Sequence, residues 1–586
     1  MDDARKPSDE LSFARHLFFG SVEDDEVFPF PNALSDEERE TLQMLLDPLD
    51  RFLRERIEEG GINHDKILDA ELLDELKAMG LFGLQVPEAL GGLGLSNTGY
   101  ARLFERIAAT DASIAVTLGA HQSIGFKGIL LFGTDEQKQR YLPGLAAGEQ
   151  VAAFCLTEPS SGSDAASIRT RARLSEDGEH WILDGGKLWI TNGGFADVLT
   201  VFAQTEVEID GQKKDRITAF IVERAFGGVE SGPEEHKLGI KGSSTTAIHF
   251  DGCKIPVANV LGEVGGGFKI AMTILNNGRF GLAAGCVGGA KRLIGMAATY
   301  AGERTQFGKK LREFGLIKKK FAQMALLTYA AESMTYMTCG LMDRGGRDYS
   351  IEAAMSKVFA SEATWLIANE CLQVMGGLGY SREYAFERFV RDCRINLIFE
   401  GTNEILRLFV ALSGIQAPGE HLRELVVALK DPVENYGMLL TEIVSRVRSR
   451  VITEDLDRAH PKLKRAAVHI EDKAQAFGEA VERLLRHFGK TIIDEQMLLE
   501  RVSDIAIDLY AMVAVVSRAT RALEQDRRGA AHEATLAAVF CEQADRRIRR
   551  RLRALEQGRK NGDVELRAIA DALLDAGAYL PKHPVL

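Results

Sequence analysis

The strongest constraint on how this 586-residue chain folds is a change of period near Val151. Before it, apolar residues recur at helical spacing. Leu72, Leu73, Leu76 and Met79 form one such set, closed by Gly80. Ser35-Asp36-Glu37-Glu38 opens this helical text as a capping box. After Val151, Arg169, Arg171 and Arg173 alternate with smaller or uncharged residues, as a strand does. Trp181-Ile182-Leu183 and Lys187-Leu188-Trp189-Ile190 flank Asp184-Gly185-Gly186, which reads as a hairpin turn. Ile217 to Val222 and Ala247 to Phe250 are further short strands, and helical text resumes at Gly267. The expected class is α+β, mainly α, and the chain is too long for one core. Residues 1–34 read as an N-terminal extension, with Phe28-Pro29-Phe30-Pro31 as an extended linker. A helical domain at 35–150, a mainly antiparallel β domain at 151–265, a helical bundle at 266–415 and an extra helical domain at 418–586 follow.

Charge and cysteine usage narrow the function classes. The 72 basic and 85 acidic residues leave a net charge of −13, which argues against broad nucleic-acid binding. Seven cysteines form no Cys-x-x-Cys pair, so reduced thiols and no metal site are expected. No uninterrupted apolar run is long enough to span a bilayer. Met1-Asp2-Asp3-Ala4-Arg5 lacks the pattern of a secretory leader and is too acidic for a transit peptide, so the cytoplasm is the expected compartment. Gly91-Gly92-Leu93-Gly94-Leu95 tempts a phosphate-loop reading. No Lys-Ser/Thr follows it, and a tight interhelical connection fits better.

Several segments carry candidate chemistry. In Arg394 to Arg407, an apolar run delivers Glu400, Gly401 follows at once, and Thr402 and Asn403 are cap candidates for the next helix. Ile398 and Phe399 desolvate the carboxylate, which raises its pKa and suits it to remove a proton. Locally, Glu400 reads equally well as a surface residue in a helix-connecting turn. Phe154 to Asp164 starts like a strand, turns at Glu158-Pro159, and then offers hydroxyl and N–H groups to flavin carbonyls or phosphate oxygens. Trp189-Ile190-Thr191-Asn192-Gly193 places an aromatic face beside a hydroxyl, which suits a planar redox ring, although a strand tryptophan is usually core. Arg304-Thr305-Gln306-Phe307-Gly308 supplies a guanidinium fork for a pyrophosphate, or merely a solvated arginine. Gln373 to Tyr380 supplies bare glycine backbone, or an ordinary helix end. Ala115 and Gly119 leave a notch on one helix face.

Together these segments resemble the acyl-CoA dehydrogenase flavoproteins over almost the whole chain, and are most similar to the very-long-chain branch. The resemblance implies that Glu400 takes the α-proton of an acyl-CoA thioester while a hydride leaves the β-carbon for FAD, giving a trans-2-enoyl-CoA. It implies cofactor contacts from Phe154, Leu156, Thr157, Gly162, Ser163, Trp189, Ile190 and Thr191, with Trp189 over one flavin face and Thr191 near the reactive nitrogen. Arg304, Gln306, Phe307, Gln373, Gly376 and Gly377 would serve the flavin of a neighbouring subunit, and Thr402, Asn403 and Glu404 are further cofactor candidates. Ser163, Asn276, Arg279, Phe399 and Gly401 would meet the substrate, with Ala115 and Gly119 making room for its tail. The implied partners are a long-chain acyl-CoA, an electron-transfer flavoprotein and a second copy in a homodimer. Val444 to Val451, where Arg446, Arg448 and Arg450 lie among apolar residues, reads either as a peripheral membrane contact or as a helix packed on its own domain with a solvated basic edge. An acyl-CoA oxidase and an assembly protein that retains the fold are the alternative functions. Phe314-Gly315 departs from the glutamine that shorter-chain members carry there, and the tail beyond 418 exceeds the common family length.

Overall fold

The computed structural model describes residues 11–31, 34–345, 347–428 and 456–585. The chain divides into two compact units, Pro31–Ile405, and Met1–Phe30 with Leu406–Leu586. The first unit begins with helices, among them Asp36–Phe52, Ala70–Ala78 and Asn97–Thr110. Ser35 caps the first of these by accepting the Glu38 N–H at 3.0 Å. The Glu38 carboxylate does not close the expected box. It accepts the Ser96 N–H at 2.8 Å and so ties this helix to the cap of a helix far along the chain. The Gly91–Leu95 stretch is the tight connection leading into that cap: a Cβ on Gly92 would stand 2.1 Å from the Val86 carbonyl oxygen.

The sheet lies in the order Val229–Ser231, Thr245–Pro256, His180–Thr191, Arg171–Leu174, Val198–Ile209, Gln212–Glu223, Val260–Leu261, and Ala152–Cys155 pairs parallel to Val198–Ile209. Asp184-Gly185-Gly186 is not a hairpin turn. It lies inside the single strand His180–Thr191, where the register against Thr245–Pro256 shifts between Leu183 and Gly185. Thr170 crosses so close that a Cβ on Gly185 would meet its Oγ1 at 2.7 Å, so the glycine marks a bulge rather than a reversal. A two-residue turn does occur at Asp210-Gly211, with φ of 54° and 72°, as a hairpin of type I′ requires. Arg169 falls outside the strand that Arg171 opens.

The 37-residue helix Gly267–Glu303 follows and packs against both Asn97–Thr110 and Ser350–Met375. Ala112–Phe132 is long and apolar enough, by length and composition, to cross a bilayer, which the reading of the sequence did not expect. In the structure 72% of that window is buried inside the protein, and the stretch is interrupted by a π-turn at Ala120–Gly125.

The second unit is built on Lys464–Phe488, Gln496–Glu524 and Ala530–Gln557, which pack on one another. Ile505, Leu509, Met512, Val513 and Val516 are fully buried on the middle helix. The N-terminal stretch is more than a linker. Phe13–Leu17 and Asp24–Val27 are helices, and Phe13, Leu17 and Val27 are fully buried in this unit. Arg521 donates to the Phe30 carbonyl at 2.7 Å and Arg458 to that of Phe28 at 2.9 Å. Proline spacing reported the extended backbone but not what pins it. The candidate membrane segment Val444 to Val451, with Arg446, Arg448 and Arg450, lies outside the described residues.

Candidate active site

A cavity of about 430 Å³ in the first unit is bordered by the sheet, by Ala112–Gly119 and by Gly267–Glu303. Several of the candidate segments meet on it. Phe154, Leu156, Thr157, Gly162 and Ser163 come from the first strand and its following loop, and Trp189, Ile190 and Thr191 from the bulged strand. Ala115 and Gly119 line it from one helix, Arg279 from the other, and Phe399, Glu400 and Gly401 from the final loop.

Glu400 sits in left-handed backbone at φ 55°, with Gly401 at φ 91° behind it. Such a conformation costs a non-glycine residue about 1–3 kcal/mol and persists only where neighbours hold it. Two buried cations do so. Arg279 Nε donates to the Glu400 carbonyl at 3.3 Å, and Lys357 Nζ donates to the Gly401 carbonyl at 2.9 Å and to Asn403 Oδ1 at 2.8 Å. Asn403 in turn donates to Ser361 Oγ at 3.0 Å, and Thr402 Oγ1 accepts the Ile405 N–H at 3.3 Å as a cap. Thus Asn403 and Thr402 direct these bonds to the loop and the helices behind it. Arg279 also bonds the side chain of Asn276.

The Glu400 carboxylate itself is held more loosely than its backbone. Its Oε2 is buried without a hydrogen-bond partner, and Gly278 opposite leaves room, since a Cβ there would lie 3.5 Å from Oε1. Burial pushes the carboxyl above its ordinary range, and the nearby Lys357 and Arg279 cations pull it back. Burial likewise lowers Lys357 to about 8 and Arg279 to about 10, against the pull of Glu400. The result is a poorly solvated carboxylate poised as a base facing an apolar space. Replacing Lys357 with Met removes one of the two cations, so Glu400 should gain its proton more readily. In anaerobic flavin-bleaching rates measured against pH, the rise with pH is expected to move upward by about one unit or more. A rate loss with an unmoved pH profile would mean that Lys357 acts only as a structural anchor.

The Phe154–Asp164 segment has its own anchor. Lys187, fully buried, donates to Glu158 Oε1 at 2.7 Å and to the Leu156 carbonyl at 3.2 Å. The Glu158 oxygens also accept the N–H groups of Arg169 at 2.6 Å and Thr170 at 3.0 Å. Burial works to raise the Glu158 carboxyl, but Lys187 and these N–H groups hold it below the ordinary range. The Leu188 N–H donates to the Thr157 carbonyl at 2.9 Å, so the two hydroxyl-bearing segments are clamped side by side. Trp189, at φ 58°, is 62% exposed on a strand whose neighbour Ile190 is buried. A Cβ on Gly162 would meet nothing within 4 Å. An uncovered indole beside the threonines of 157 and 191, facing open backbone, fits a planar ring with polar edges. The flavin of FAD is such a group.

The remaining candidates lie elsewhere on this chain. Arg304, Gln306, Phe307, Gln373, Gly376, Gly377 and Glu404 are exposed and do not line the cavity. Phe307 is 95% exposed, in left-handed backbone at φ 52°. Reading the sequence missed Lys357 and Lys187. Both are single lysines inside otherwise apolar or small-residue runs, a pattern that signals a buried, partnered charge.

The chain was compared with known proteins. Four family models match it: acyl-CoA dehydrogenase N-terminal domain at residues 39–149, middle domain at 153–253, C-terminal domain at 265–414, and the ACAD9/ACADV C-terminal domain at 461–579. A very long-chain specific acyl-CoA dehydrogenase, mitochondrial, of Macaca fascicularis is 49% identical over 99% of this chain and 90% of that protein. Among solved structures, an acyl-CoA dehydrogenase complexed with FAD from Bacillus anthracis superposes with a TM-score of 0.77 at 34% identity, covering 97% of this chain and 96% of that one. Butyryl-CoA dehydrogenase from Megasphaera elsdenii, 37% identical with a TM-score of 0.59, covers 65% of this chain and 98% of its own. Because the similarity extends through the Glu400 loop, both strand segments and the C-terminal helices alike, the chain belongs to the acyl-CoA dehydrogenase family.

Proposed function

We propose that this protein is an FAD-dependent dehydrogenase of long or very long acyl-CoA thioesters, forming the trans-2-enoyl-CoA in fatty acid β-oxidation. The observation that carries this reading is the buried, unpartnered carboxylate oxygen of Glu400 facing a cavity shared with Trp189, Thr157 and Thr191. Glu400 removes the α-proton, and its own N–H together with a flavin ribityl hydroxyl would donate to the thioester oxygen as negative charge develops there. Arg279 and Lys357 keep the base oriented and ionised. Phe399 and the apolar wall exclude water, which strengthens both contacts. Bound FAD supplies a two-electron acceptor for the hydride of the β-carbon. Phe154, Leu156, Thr157, Gly162, Ser163, Trp189, Ile190 and Thr191 hold it, and Ser163, Asn276, Arg279, Phe399 and Gly401 receive the acyl-CoA. An electron-transfer flavoprotein takes the electrons onward. The deciding experiment is anaerobic flavin bleaching across a series of acyl-CoA lengths, and a flavin that no acyl-CoA bleaches would defeat the proposal. Oxygen-dependent turnover would instead mark an oxidase.

The protein works as a homodimer in this reading. Arg304, Gln306, Phe307, Gln373, Gly376 and Gly377 are exposed here and would complete the flavin site of the second copy. An almost fully exposed phenylalanine in strained backbone favours such a covered surface. Arg304→Ala is expected to weaken both FAD retention and dimerisation in size-exclusion and flavin-to-protein ratio measurements. A flavin-replete, active monomer would contradict this. The cytoplasmic side of a membrane, with peripheral contact, suits a substrate that partitions into lipid.

A further inference from the structure

The cavity extends well past Glu400 along the helix Gly267–Glu303, and Phe389 is among the residues that line it. Gly278 lies beside the Glu400 carboxylate. Gly285 and Gly289 follow on the same helix, and both line the cavity. At a rise of about 1.5 Å per residue, Gly289 is about 16 Å beyond Gly278. Ala108 faces Gly285 from the neighbouring helix, 3.3 Å from where its Cβ would stand. At Gly289 the nearest atom is Cε1 of Phe389, at 3.7 Å. Phe389 also lines a second pocket of about 220 Å³, so one side chain borders both spaces. Ala108 borders the first space and its neighbour Ala109 the second.

The second pocket reaches the surface, since the side chains of His64 and Arg292 on its wall are 30% and 43% exposed. Each basic group on its wall faces a carboxylate: Arg292 contacts Glu58 at 2.7 Å, while His64 at 2.7 Å and Arg388 at 3.2 Å share Asp111. No spare cation is offered to an anionic tail, whereas Ile57, Met296 and Ala109 offer apolar contact. The ring packs against the helical core and under Arg388, but on its Gly289 side it meets no side chain.

We propose that Phe389 is the movable end wall of the acyl cavity, and that the ω-end of acyl chains too long for that cavity displaces this ring and enters the second pocket. The inference rests on the acyl-CoA reading above and makes Phe389 the residue that sets the upper chain length. Its test uses the full-length, FAD-loaded protein and rates of anaerobic flavin bleaching by lauroyl-, palmitoyl-, arachidoyl- and lignoceroyl-CoA. Filling the second pocket with Met296→Trp should slow bleaching by the longest chains tenfold or more, and leave lauroyl-CoA within twofold of wild type. Phe389→Ala should raise the ratio of lignoceroyl to lauroyl rates. Thr110→Trp, on a different wall of the pocket, serves if Met296→Trp fails to fold. An unchanged length profile in the filled-pocket variants, or a loss equal at every length, would overturn the proposal. Failure of every acyl-CoA to bleach the wild-type flavin would instead strike the acyl-CoA reading itself.

Discussion

Glu400→Gln is expected to abolish substrate-driven flavin bleaching, by about a thousandfold or more, while FAD and acyl-CoA still bind. The amide keeps the shape of the side chain and the backbone that Arg279 and Lys357 hold, and removes only the proton acceptor. Positioned bases are typically worth about 10²–10⁴ in rate. The same substitution carries a stability signature. Because burial raises the folded pKa of Glu400, the native state binds more protons than the unfolded one between the ordinary glutamate pKa and the raised value. Wild-type stability therefore falls as pH rises through that window, and the glutamine variant lacks this loss. Thermal unfolding of both proteins across that range should show the variant gaining on wild type as pH increases. Stopped-flow bleaching reads the chemistry, and normal flavin reduction in the variant would remove Glu400 as the base.

Lys187→Met should be among the most destabilising single changes in the first unit. It leaves the buried carboxylate of Glu158 without its cation, and uncompensated charges of this kind cost about 3–5 kcal/mol. The double variant Lys187→Met with Glu158→Gln should recover much of that loss, because no buried charge then remains. Functionally, the single variant should release FAD more readily than wild type. The Thr157–Ser163 loop would lose the anchor that Lys187 provides through Glu158 and the Leu156 carbonyl. Denaturant titration and FAD titration of the full chain measure the two effects. A single variant within about 1 kcal/mol of wild type would show the pair to be dispensable.

The two substitutions also separate what was legible early from what was not. Glu400 was legible as a candidate because an apolar run, a glycine and a helix cap surround it, and the family resemblance tipped the balance. The clamp that holds it was not, since Lys357 bonds a carbonyl 44 residues away and Arg279 one that is 121 away. Asp184-Gly185-Gly186 was legible as an irregularity and misread as a reversal. The reason for the glycine is the approach of Thr170, just ahead of the neighbouring strand Arg171–Leu174, which no local window contains.

The sequence by itself determined the helix–sheet–helix order and the class, because periodicity, caps and turn chemistry act over one or two turns of chain, and the family resemblance pointed to the candidate base. Tertiary structure decided the rest. It packed the N-terminal helices with residues more than four hundred positions later, neutralised Glu158 with Lys187, strained Glu400 into left-handed backbone, and put Phe389 on the wall of two cavities. Each of these depends on burial, and burial of a given side chain is settled only when distant elements close around it.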